Sequence, residues 1–264
     1  MMQNVYFTLL LLFFMGIFSS CQSQQAKTQL TPIKDLDLKA SQLEVPDKYK
    51  SQFPGNKTIY LPEGYRAKVF YMGNLNKPRF MSWSPDSVLH VANLRSGKVI
   101  AMPDKDHDGV ADKAIVAADN LYGHDVKFHD GKMYVTETEQ VWELEDKDND
   151  GYYENRRIFI DNVASGAPQP GGGHTTRTLV FDDQNQRVFL SIGSLCNVCR
   201  EEERAIIEVY DMDGNSGRTF ASGIRNAVGM TIRPSTGKLW ANCNGSDWQG
   251  NDIPPEWIDI VRDG

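Results

Sequence analysis

His174 has the sequence context that most favours chemistry. It follows three glycines, Gly171 to Gly173, and it precedes Arg177 and the apolar segment 179–181. A glycine-rich loop is flexible, so the pattern would deliver an imidazole and a guanidinium together to the start of a strand. Because the unperturbed pKa of imidazole is about 6.5, His174 is the first candidate for proton transfer.

Two acidic segments have the residue types and spacing of a calcium-binding loop. Each has carboxylates at positions 1, 3, 5 and 9 and a glycine at position 6. The carboxylates are Asp104, Asp106, Asp108 and Asp112 in the first segment, and Asp146, Asp148, Asp150 and Glu154 in the second. Ca²⁺ prefers six to eight oxygen ligands, and alternate side chains of a tight loop converge on one point.

The two loops differ from an EF-hand, which requires Glu at position 12. That position holds Ile115 in the first loop and Arg157 in the second. The pattern therefore predicts shorter calcium loops that make the edge of a sheet rigid. The alternative is a pair of solvated acidic turns, because the Asp-Gly dipeptide favours hairpin turns without a metal.

Three cysteines lie within the body of the chain. Cys196 and Cys199 form a C-x-x-C pair, but Arg200 follows the second cysteine where c-type haem attachment requires histidine. A zinc site would need more Cys or His ligands than this neighbourhood supplies. We expect either a local Cys196–Cys199 disulfide with Cys243 free, or a bridge from Cys243 to one of the pair.

A repeat runs through the body and indicates the fold. Four segments share a strand, a turn and a second strand with a bulky residue, and they start near Met81, Val126, Leu179 and Met230. Corresponding residues are spaced by 45, 53 and 51 positions. Repeats of this length with a hairpin in each predict an all-β protein with a β-propeller fold.

About four blades are visible in the sequence. Because the final segment, Trp257 to Val261, is predicted as a strand with nothing to close the ring, we expect a partial propeller of a six-bladed type. A closed four-bladed ring is the alternative. His124 opens one blade strand, at the edge of the ring where propellers place site residues.

The N-terminus carries targeting information. Residues 5–18 form an apolar run that is shorter than the roughly 20 residues needed to span a bilayer. The run ends at Phe18-Ser19-Ser20-Cys21, which resembles a bacterial lipobox, although no Lys or Arg precedes the run. We expect residues 1–21 to be a lipoprotein signal peptide, Cys21 to be acylated, 22–57 to be a tether and 58–264 to form the propeller. An ordinary signal peptide is the alternative, and both predict export.

Composition excludes several classes of protein. The 264 residues are 40% hydrophobic and 24% charged, which argues against a disordered or multi-span membrane chain. The net charge of −7 and the lack of a long basic block argue against nucleic-acid binding.

Three segments together resemble the glucose/sorbosone dehydrogenase family. They are GGGHTTRTLVF at 171–181, GIRNAVGM at 223–230 and NGSDWQGNDIPPE at 244–256. Members of that family are sugar dehydrogenases that depend on pyrroloquinoline quinone (PQQ) and have a six-bladed propeller. The similarity extends over about residues 60–264, which correspond to the first two-thirds of the family domain.

The resemblance implies roles for particular residues. His174 would take the hydroxyl proton of the sugar while hydride passes to the quinone. Arg225 and Asn226 would contact PQQ, with His124 and Arg177 as further candidates for cofactor contacts. Backbone carbonyls of the loop at Gly245 and Ser246 would bind a Ca²⁺ ion that polarises the cofactor.

The expected function is that of an exported, lipid-anchored sugar dehydrogenase. Its partners would be a small sugar and an electron acceptor, either a cytochrome or the quinone pool. Two alternatives stay open. One is a calcium-dependent lactonase on the same fold, and the other is a non-catalytic propeller that binds glycans or a protein partner.

Overall fold

The computed structural model describes residues 37–164, 173–250 and 256–264. These residues form an all-β structure with two short 3₁₀ helices, Asp47–Gln52 and Leu94–Ser96. Within these ranges, no helix has the length and apolar character that crossing a membrane requires. The predicted signal peptide and Cys21 lie outside the described residues.

Seventeen strands are present in the described ranges. They are β1 (Leu38–Gln42), β2 (Thr58–Pro62), β3 (Pro78–Trp83), β4 (Leu89–Asn93), β5 (Lys98–Met102), β6 (Ile115–Asp119), β7 (Asp125–His129), β8 (Lys132–Thr136), β9 (Val141–Glu145), β10 (Asn155–Ile160), β11 (Leu179–Asp182), β12 (Arg187–Ile192), β13 (Ile206–Asp211), β14 (Arg218–Ser222), β15 (Met230–Arg233), β16 (Lys238–Cys243) and β17 (Trp257–Ile260).

Strands β3 to β17 form four antiparallel meanders, which are the blades. Blade 1 contains β3–β6, blade 2 β7–β10, blade 3 β11–β14 and blade 4 β15–β17. Short turns join most neighbouring strands, and longer loops join β5 to β6, β9 to β10, β12 to β13 and β16 to β17. In blade 2, His129 pairs with Lys132. The two intervening residues, Asp130 and Gly131, both have positive φ, which is the geometry of a two-residue hairpin turn.

The first strands of the blades lie side by side, so the blades follow one another around a centre. Strand β7 contacts both β3 and β11, and β11 contacts β15. Polar links join successive blades. The Oγ1 atom of Thr136 donates to the carbonyl of Arg177 at 2.8 Å, and the Oγ1 atom of Thr178 donates to the carbonyl of Val228 at 2.6 Å. The predicted propeller is confirmed, with four blades in the described residues.

The core lies between the blades. Successive side chains of a strand point to opposite faces, so each inner sheet can bury one face against each neighbour. In β8, Met133 and Val135 pack toward blade 1 while Tyr134 packs toward blade 3. In β12, Val188 packs toward blade 2 and Phe189 toward blade 4. A single blade could not bury both faces alone, which explains the repeat.

Residues 37–57 differ from the predicted tether because they carry secondary structure. Strands β1 and β2 pair in an antiparallel two-stranded sheet. Both strands belong to one compact unit, which includes residues 37–42 and 57–66. Residues 43–56 belong to the second unit together with the blades. There the 3₁₀ helix buries Tyr49 against the edge of the Tyr71 ring. Burial of an aromatic side chain offsets the entropy cost of ordering such a segment.

Candidate functional site

His174 is held at the entrance to β11 by the loop that follows β12. Its backbone N–H donates to the carbonyl of Ser194 at 2.7 Å, and its ring Nδ1 lies 3.0 Å from the same carbonyl and from the Ser194 Oγ. A carbonyl only accepts, so the neutral ring carries its proton on Nδ1. The Nε2 atom then has a free lone pair, and no hydrogen bond to Nε2 occurs among the described residues.

The surroundings of His174 favour a neutral imidazole. Partial burial lowers the pKa of His174 below its usual value, and the positive charge of Arg225 lowers it further, against the opposing effect of the Ser194 carbonyl. The half-buried ring is therefore unprotonated at neutral pH. An unprotonated, partly exposed imidazole can accept a proton from a bound hydroxyl group.

Gly193 lies where the backbone passes very close to the side chains of His174 and Asn226. A Cβ atom at this position would lie 2.5 Å from the His174 Cβ and 2.6 Å from the Asn226 Oδ1. Only glycine lets the backbone of β12 pass so close to both side chains. Sequence reasoning missed Gly193 and Ser194; the only signal was their position directly after the strand Arg187–Ile192.

Asn226 joins His174 to blade 4. The hydroxyl of Thr176 donates to the Asn226 Oδ1 at 2.8 Å, and the N–H of Asn244 donates to the Asn226 carbonyl at 3.0 Å. The N–H of Ser194 also donates to the Arg225 carbonyl at 2.8 Å. The structure therefore brings His174, Arg225 and Asn226 together, although up to 52 residues separate them in the chain.

The Arg225 guanidinium is directed at protein oxygens. Its Nε donates to the Asn197 carbonyl at 3.0 Å, and its Nη2 donates to the Asn197 Oδ1 at 3.0 Å. Its Nη1 donates to the carbonyls of Asn244, at 3.3 Å, and Gly245. Asp247 lies 3.4 Å from Nη2. The expected direct contact of this guanidinium with a cofactor would require one of these bonds to be exchanged.

The loop at Gly245 and Ser246, expected to bind Ca²⁺ through its carbonyls, has another arrangement here. The Gly245 carbonyl already accepts a hydrogen bond from Arg225, and the Ser246 hydroxyl donates to the Asn197 carbonyl at 3.1 Å. A cation at the Gly245 carbonyl would lie beside the guanidinium charge, which opposes its binding. The donor set at this loop therefore does not suit Ca²⁺.

The cysteines are arranged in one of the two predicted ways. Cys196 and Cys199 form a disulfide bond with Cα atoms 5.6 Å apart, and Cys243 is free and buried. The Cys243 Sγ accepts a long hydrogen bond, 3.5 Å, from the N–H of Asn226. Burial raises the pKa of the Cys243 thiol, so it stays protonated and unreactive.

His124 lies in a different environment, between blades 1 and 2. It is 3% exposed, and its Nδ1 accepts a hydrogen bond from the Arg79 Nε at 3.2 Å. Burial lowers the pKa of His124 to about 3, and the charges of Arg79 and Arg177 act in the same direction. Its Nε2 is buried without a hydrogen-bond partner in the described part of the chain.

Asp125, next to His124, is the carboxylate of this interior region. Its Oδ2 accepts the N–H of Leu179 at 3.1 Å and its Oδ1 lies 3.4 Å from the Lys127 Nζ. Burial raises the pKa of Asp125 to about 6, against the opposing effect of Lys127. Asp125 therefore links blade 2 to blade 3 while carrying a charge that its surroundings disfavour.

Arg177 is completely buried, in contrast to the predicted delivery from a flexible loop. Its Nη1 donates to the carbonyls of Thr176, at 2.8 Å, and His174, at 3.3 Å. Its Nε and Nη2 have no hydrogen-bond partner within the described ranges. Burial, with the charge of Arg204, lowers the pKa of Arg177 to about 10. Because Arg177 hydrogen-bonds these two carbonyls from a buried position, it supports the backbone that carries His174.

The acidic loops connect the third and fourth strands of blades 1 and 2. In each loop three residues have carboxylate oxygens within 4.8 Å of one another, namely Asp104, Asp106 and Asp108 in the first, and Asp146, Asp148 and Glu154 in the second. Asp112 and Asp150 lie outside these clusters and accept backbone N–H groups of their own loops, at 2.9 and 2.7 Å, as several of the clustered carboxylates also do. In the first loop, Lys68 Nζ donates to the Asp108 carbonyl and places a cation beside the cluster.

Comparison with known proteins gives a family match over most of the chain. Residues 59–254 match the TrAA12-like family. An uncharacterized protein of Borreliella burgdorferi is 21% identical over 217 residues, which cover 78% of this chain and 54% of that protein.

Several solved structures share the fold. The holo PQQ domain of the Coprinopsis cinerea pyranose dehydrogenase superposes with a TM-score of 0.62 at 20% identity, covering 76% of this chain and 54% of that one. The Trichoderma reesei Carbohydrate-Active Enzymes Family AA12 protein, in an iodide structure, gives 0.61 at 19%, with 74% and 54% covered. The PQQ-bound aldose sugar dehydrogenase of Streptomyces coelicolor gives 0.54 at 12%, with 72% and 61% covered. The chain thus spans about half the length of the relatives it matches.

Proposed function

The chain belongs to the TrAA12-like family, and on that premise we propose that it oxidises a sugar with PQQ as the electron acceptor. The observation that carries the proposal is the convergence of His174, Arg225 and Asn226, which are joined through Ser194 and Thr176. The similar structures from C. cinerea and S. coelicolor, described with PQQ, support the cofactor class.

The residues at the site fit a quinone that carries carboxylates. Arg225 supplies a positive charge, and the carbonyls that hold it orient that charge without neutralising it. Asn226 accepts from Thr176 through Oδ1, so its Nδ2 group is available as a donor. Together Arg225 and Asn226 would hold the anionic cofactor, and His174 would face the substrate.

The chain's own residues would move one proton. When bound, PQQ takes the hydride, that is two electrons and one proton, from the carbon that bears the sugar hydroxyl. His174 Nε2 accepts the hydroxyl proton, and the carbonyl product forms as the carbon–hydrogen bond breaks. Ser194 keeps the proton of the neutral ring on Nδ1, so that Nε2 stays available for the reaction.

The remaining parts of the proposal concern calcium, partners and location. We propose that Ca²⁺ binds the two acidic loops of blades 1 and 2, in a structural role, and we assign no Ca²⁺ to the loop at Gly245. A cytochrome or the quinone pool would reoxidise the cofactor. Export and anchoring through Cys21 complete the proposal, and incorporation of labelled fatty acid into the protein, lost in Cys21→Ser, would test the anchor.

The experiment is reconstitution of the purified protein with PQQ and Ca²⁺. We expect absorbance of bound quinone and turnover with a panel of aldoses and a dye acceptor. His174→Ala should lower turnover by about 10²–10⁴-fold, as for a positioned base, with little change in PQQ affinity. The matched control is His129→Gln, a turn histidine that stacks on Phe181 and pairs with Asp183; its turnover should stay at the wild-type value.

Two outcomes would contradict parts of this proposal. If the protein takes up no PQQ, the dehydrogenase assignment is wrong, and a lactonase or a non-catalytic binding propeller should be tested in its place. If PQQ binds and His174→Ala keeps wild-type turnover, the cofactor assignment stands and the base assignment is wrong.

A further inference from the structure

The disulfide ring after β12 contains a residue that contacts several parts of the site. The Cys196–Cys199 bond closes a ring of four residues, and Asn197 is the second of them. Asn197 had no role in the sequence-based predictions. The ring lies outside the sheet, and Val198 at its tip is 65% exposed, so no apolar core fixes this segment.

Asn197 makes five hydrogen bonds across the site. Its carbonyl accepts from the Arg225 Nε at 3.0 Å and from the Ser246 hydroxyl at 3.1 Å. Its Oδ1 accepts from the Arg225 Nη2 at 3.0 Å and from the Asp247 N–H at 2.7 Å, and its Nδ2 donates to the Asp247 carbonyl at 2.7 Å. One residue of blade 3 thereby fixes the Arg225 guanidinium and the 244–247 loop of blade 4.

The ring is also connected to His174. The Ser194 hydroxyl donates to the Cys196 carbonyl at 2.8 Å, and the same oxygen lies 3.0 Å from His174 Nδ1. The segment from Ser194 to Asn197 therefore contacts the imidazole at one end and the guanidinium at the other. A displacement of the ring would disturb both groups together.

The chemistry of Asn197 explains why an amide suits this position. It orients the guanidinium with two neutral oxygens, so the positive charge of Arg225 stays available to an anionic ligand. The only carboxylate near the guanidinium in the described residues is Asp247, which is 3.4 Å away and 71% exposed at its side chain. Solvent weakens an exposed pair of this kind. A carboxylate at position 197 would instead neutralise the charge directly.

We propose that Asn197 is the positioning residue of this site, and that the Cys196–Cys199 disulfide holds it in place so that Arg225 and the 244–247 loop are ordered for an anionic cofactor. Closing the ring limits the conformations open to Asn197, which otherwise would have to be ordered by its hydrogen bonds alone. Reduction of the bond would uncouple the two sides of the site. The cofactor part of this inference rests on the proposed function, whereas the ordering of Arg225 does not.

The first measurement needs no cofactor. NMR detection of the Arg225 Nε–Hε group should show slow exchange with water in the oxidised protein, because this group donates to Asn197. Cys196→Ser with Cys199→Ser should speed this exchange by about tenfold or more, while Val198→Ala, in the same ring, should not. Asn197→Ala keeps the backbone carbonyl that accepts from Nε but removes the Oδ1 that accepts from Nη2, so it should speed exchange of the Nη2 hydrogens. Unchanged Nε–H exchange in the double variant would overturn the role of the disulfide, and unchanged exchange of the Nη2 hydrogens in Asn197→Ala would overturn the role of the Asn197 side chain.

Chemical reduction is the matching test on the wild-type chain. Dithiothreitol supplies two electrons and two protons, the sulfur–sulfur bond breaks to two thiols, and the reagent closes to its cyclic disulfide. Exchange at Arg225 should then rise in the wild-type protein and should not change in the double serine variant. An equal response in both proteins would place the effect elsewhere and contradict the proposal.

The second measurement is the affinity for PQQ. Asn197→Asp keeps the size of the side chain and its acceptors for Arg225, but it adds a negative charge, so it should weaken PQQ binding more than Asn197→Ala does. We expect losses of roughly tenfold for Ala, typical of a residue that orients a ligand-binding group. Equal affinity of Asn197→Asp and wild type would overturn the charge argument. Absence of PQQ binding in the wild type would contradict the proposed function and leave the Arg225 exchange result to decide the positioning role.

Discussion

The region of blades 3 and 4 and the region of blades 1 and 2 each contain a histidine near the start of an innermost strand, in opposite environments. His174 is half-buried, contacts Ser194 through Nδ1 and has a free Nε2. His124 is 3% exposed and accepts a hydrogen bond from Arg79. The position in the repeat therefore does not decide the chemistry of a histidine; its exposure and its hydrogen-bond partners do.

The charged groups of the two regions also differ in their exposure and in their hydrogen-bond partners. The Arg225 side chain is 16% exposed and is held by oxygens of Asn197, Asn244 and Gly245, whereas His124 and Asp125 lie in the interior between blades. A group that must exchange protons with a substrate needs access, and a group between blades cannot have it without opening the core. We therefore expect variants of the first region to change turnover and variants of the second to change stability.

The largest effect should appear in the pH dependence of turnover. Since burial and Arg225 lower the pKa of His174, the acid limb of kcat/KM should lie below pH 6.5 and fall about tenfold per pH unit. Arg225→Gln removes a cation that disfavours protonation, so the limb should move to higher pH. A pH–rate profile with parallel NMR titration of His174 measures both. A limb that keeps its position in Arg225→Gln would show that the two groups are not coupled.

The second prediction concerns the pH dependence of the free energy of unfolding, to which His124 and Asp125 contribute with opposite signs. The folded pKa of His124, about 3, lies below its unfolded value, so His124 reduces stability as the pH falls below about 6.5. The folded pKa of Asp125, about 6, lies above its unfolded value, so Asp125 reduces stability as the pH rises from about 4 to 6. In the wild type the two effects largely cancel between pH 4 and 6.

Two variants separate these contributions. In His124→Gln, the free energy of unfolding should fall as the pH rises from 4 to 6. In Asp125→Asn it should rise over the same range, in each case by up to about 1.4 kcal/mol per pH unit. Urea unfolding at a series of pH values measures this, with His129→Gln as the control for loss of a histidine. Slopes of the same sign in both variants would show that burial does not govern these two groups.

The smallest effect concerns the acidic loops, which also belong to blades 1 and 2. If they bind Ca²⁺, the metal should raise the melting temperature, because a ligand of the folded state stabilises it by mass action. Asp148→Ala should reduce this rise more than Asp106→Ala, since Lys68 already places a positive charge beside the first loop. Thermal melts with and without Ca²⁺ measure this difference. If the melting temperature of the wild type does not change with Ca²⁺, these loops are ordinary turns.

A large part of the fold could be predicted from the sequence because its signals are local. The strand and turn pattern repeats about every 50 residues, and the hairpin in each repeat indicates a blade. The four innermost strands lie where the repeat predicted them. The segment 37–57 is different, because burial of Tyr49 against Tyr71 depends on a contact between residues far apart in the chain.

The amino-acid sequence was enough to predict the propeller and to single out the main residues of the candidate site. His174, Arg225 and Asn226 are conspicuous because of their neighbours in the chain, and their residue types limit what chemistry they can do. The exposure and the hydrogen-bond partners of each group follow only from the folded chain. The fold buried Arg177 and His124 between blades, turned Arg225 toward Asn197, and packed Gly193 against His174. The reason is that exposure and hydrogen-bond partners come from other blades, and no local pattern encodes them.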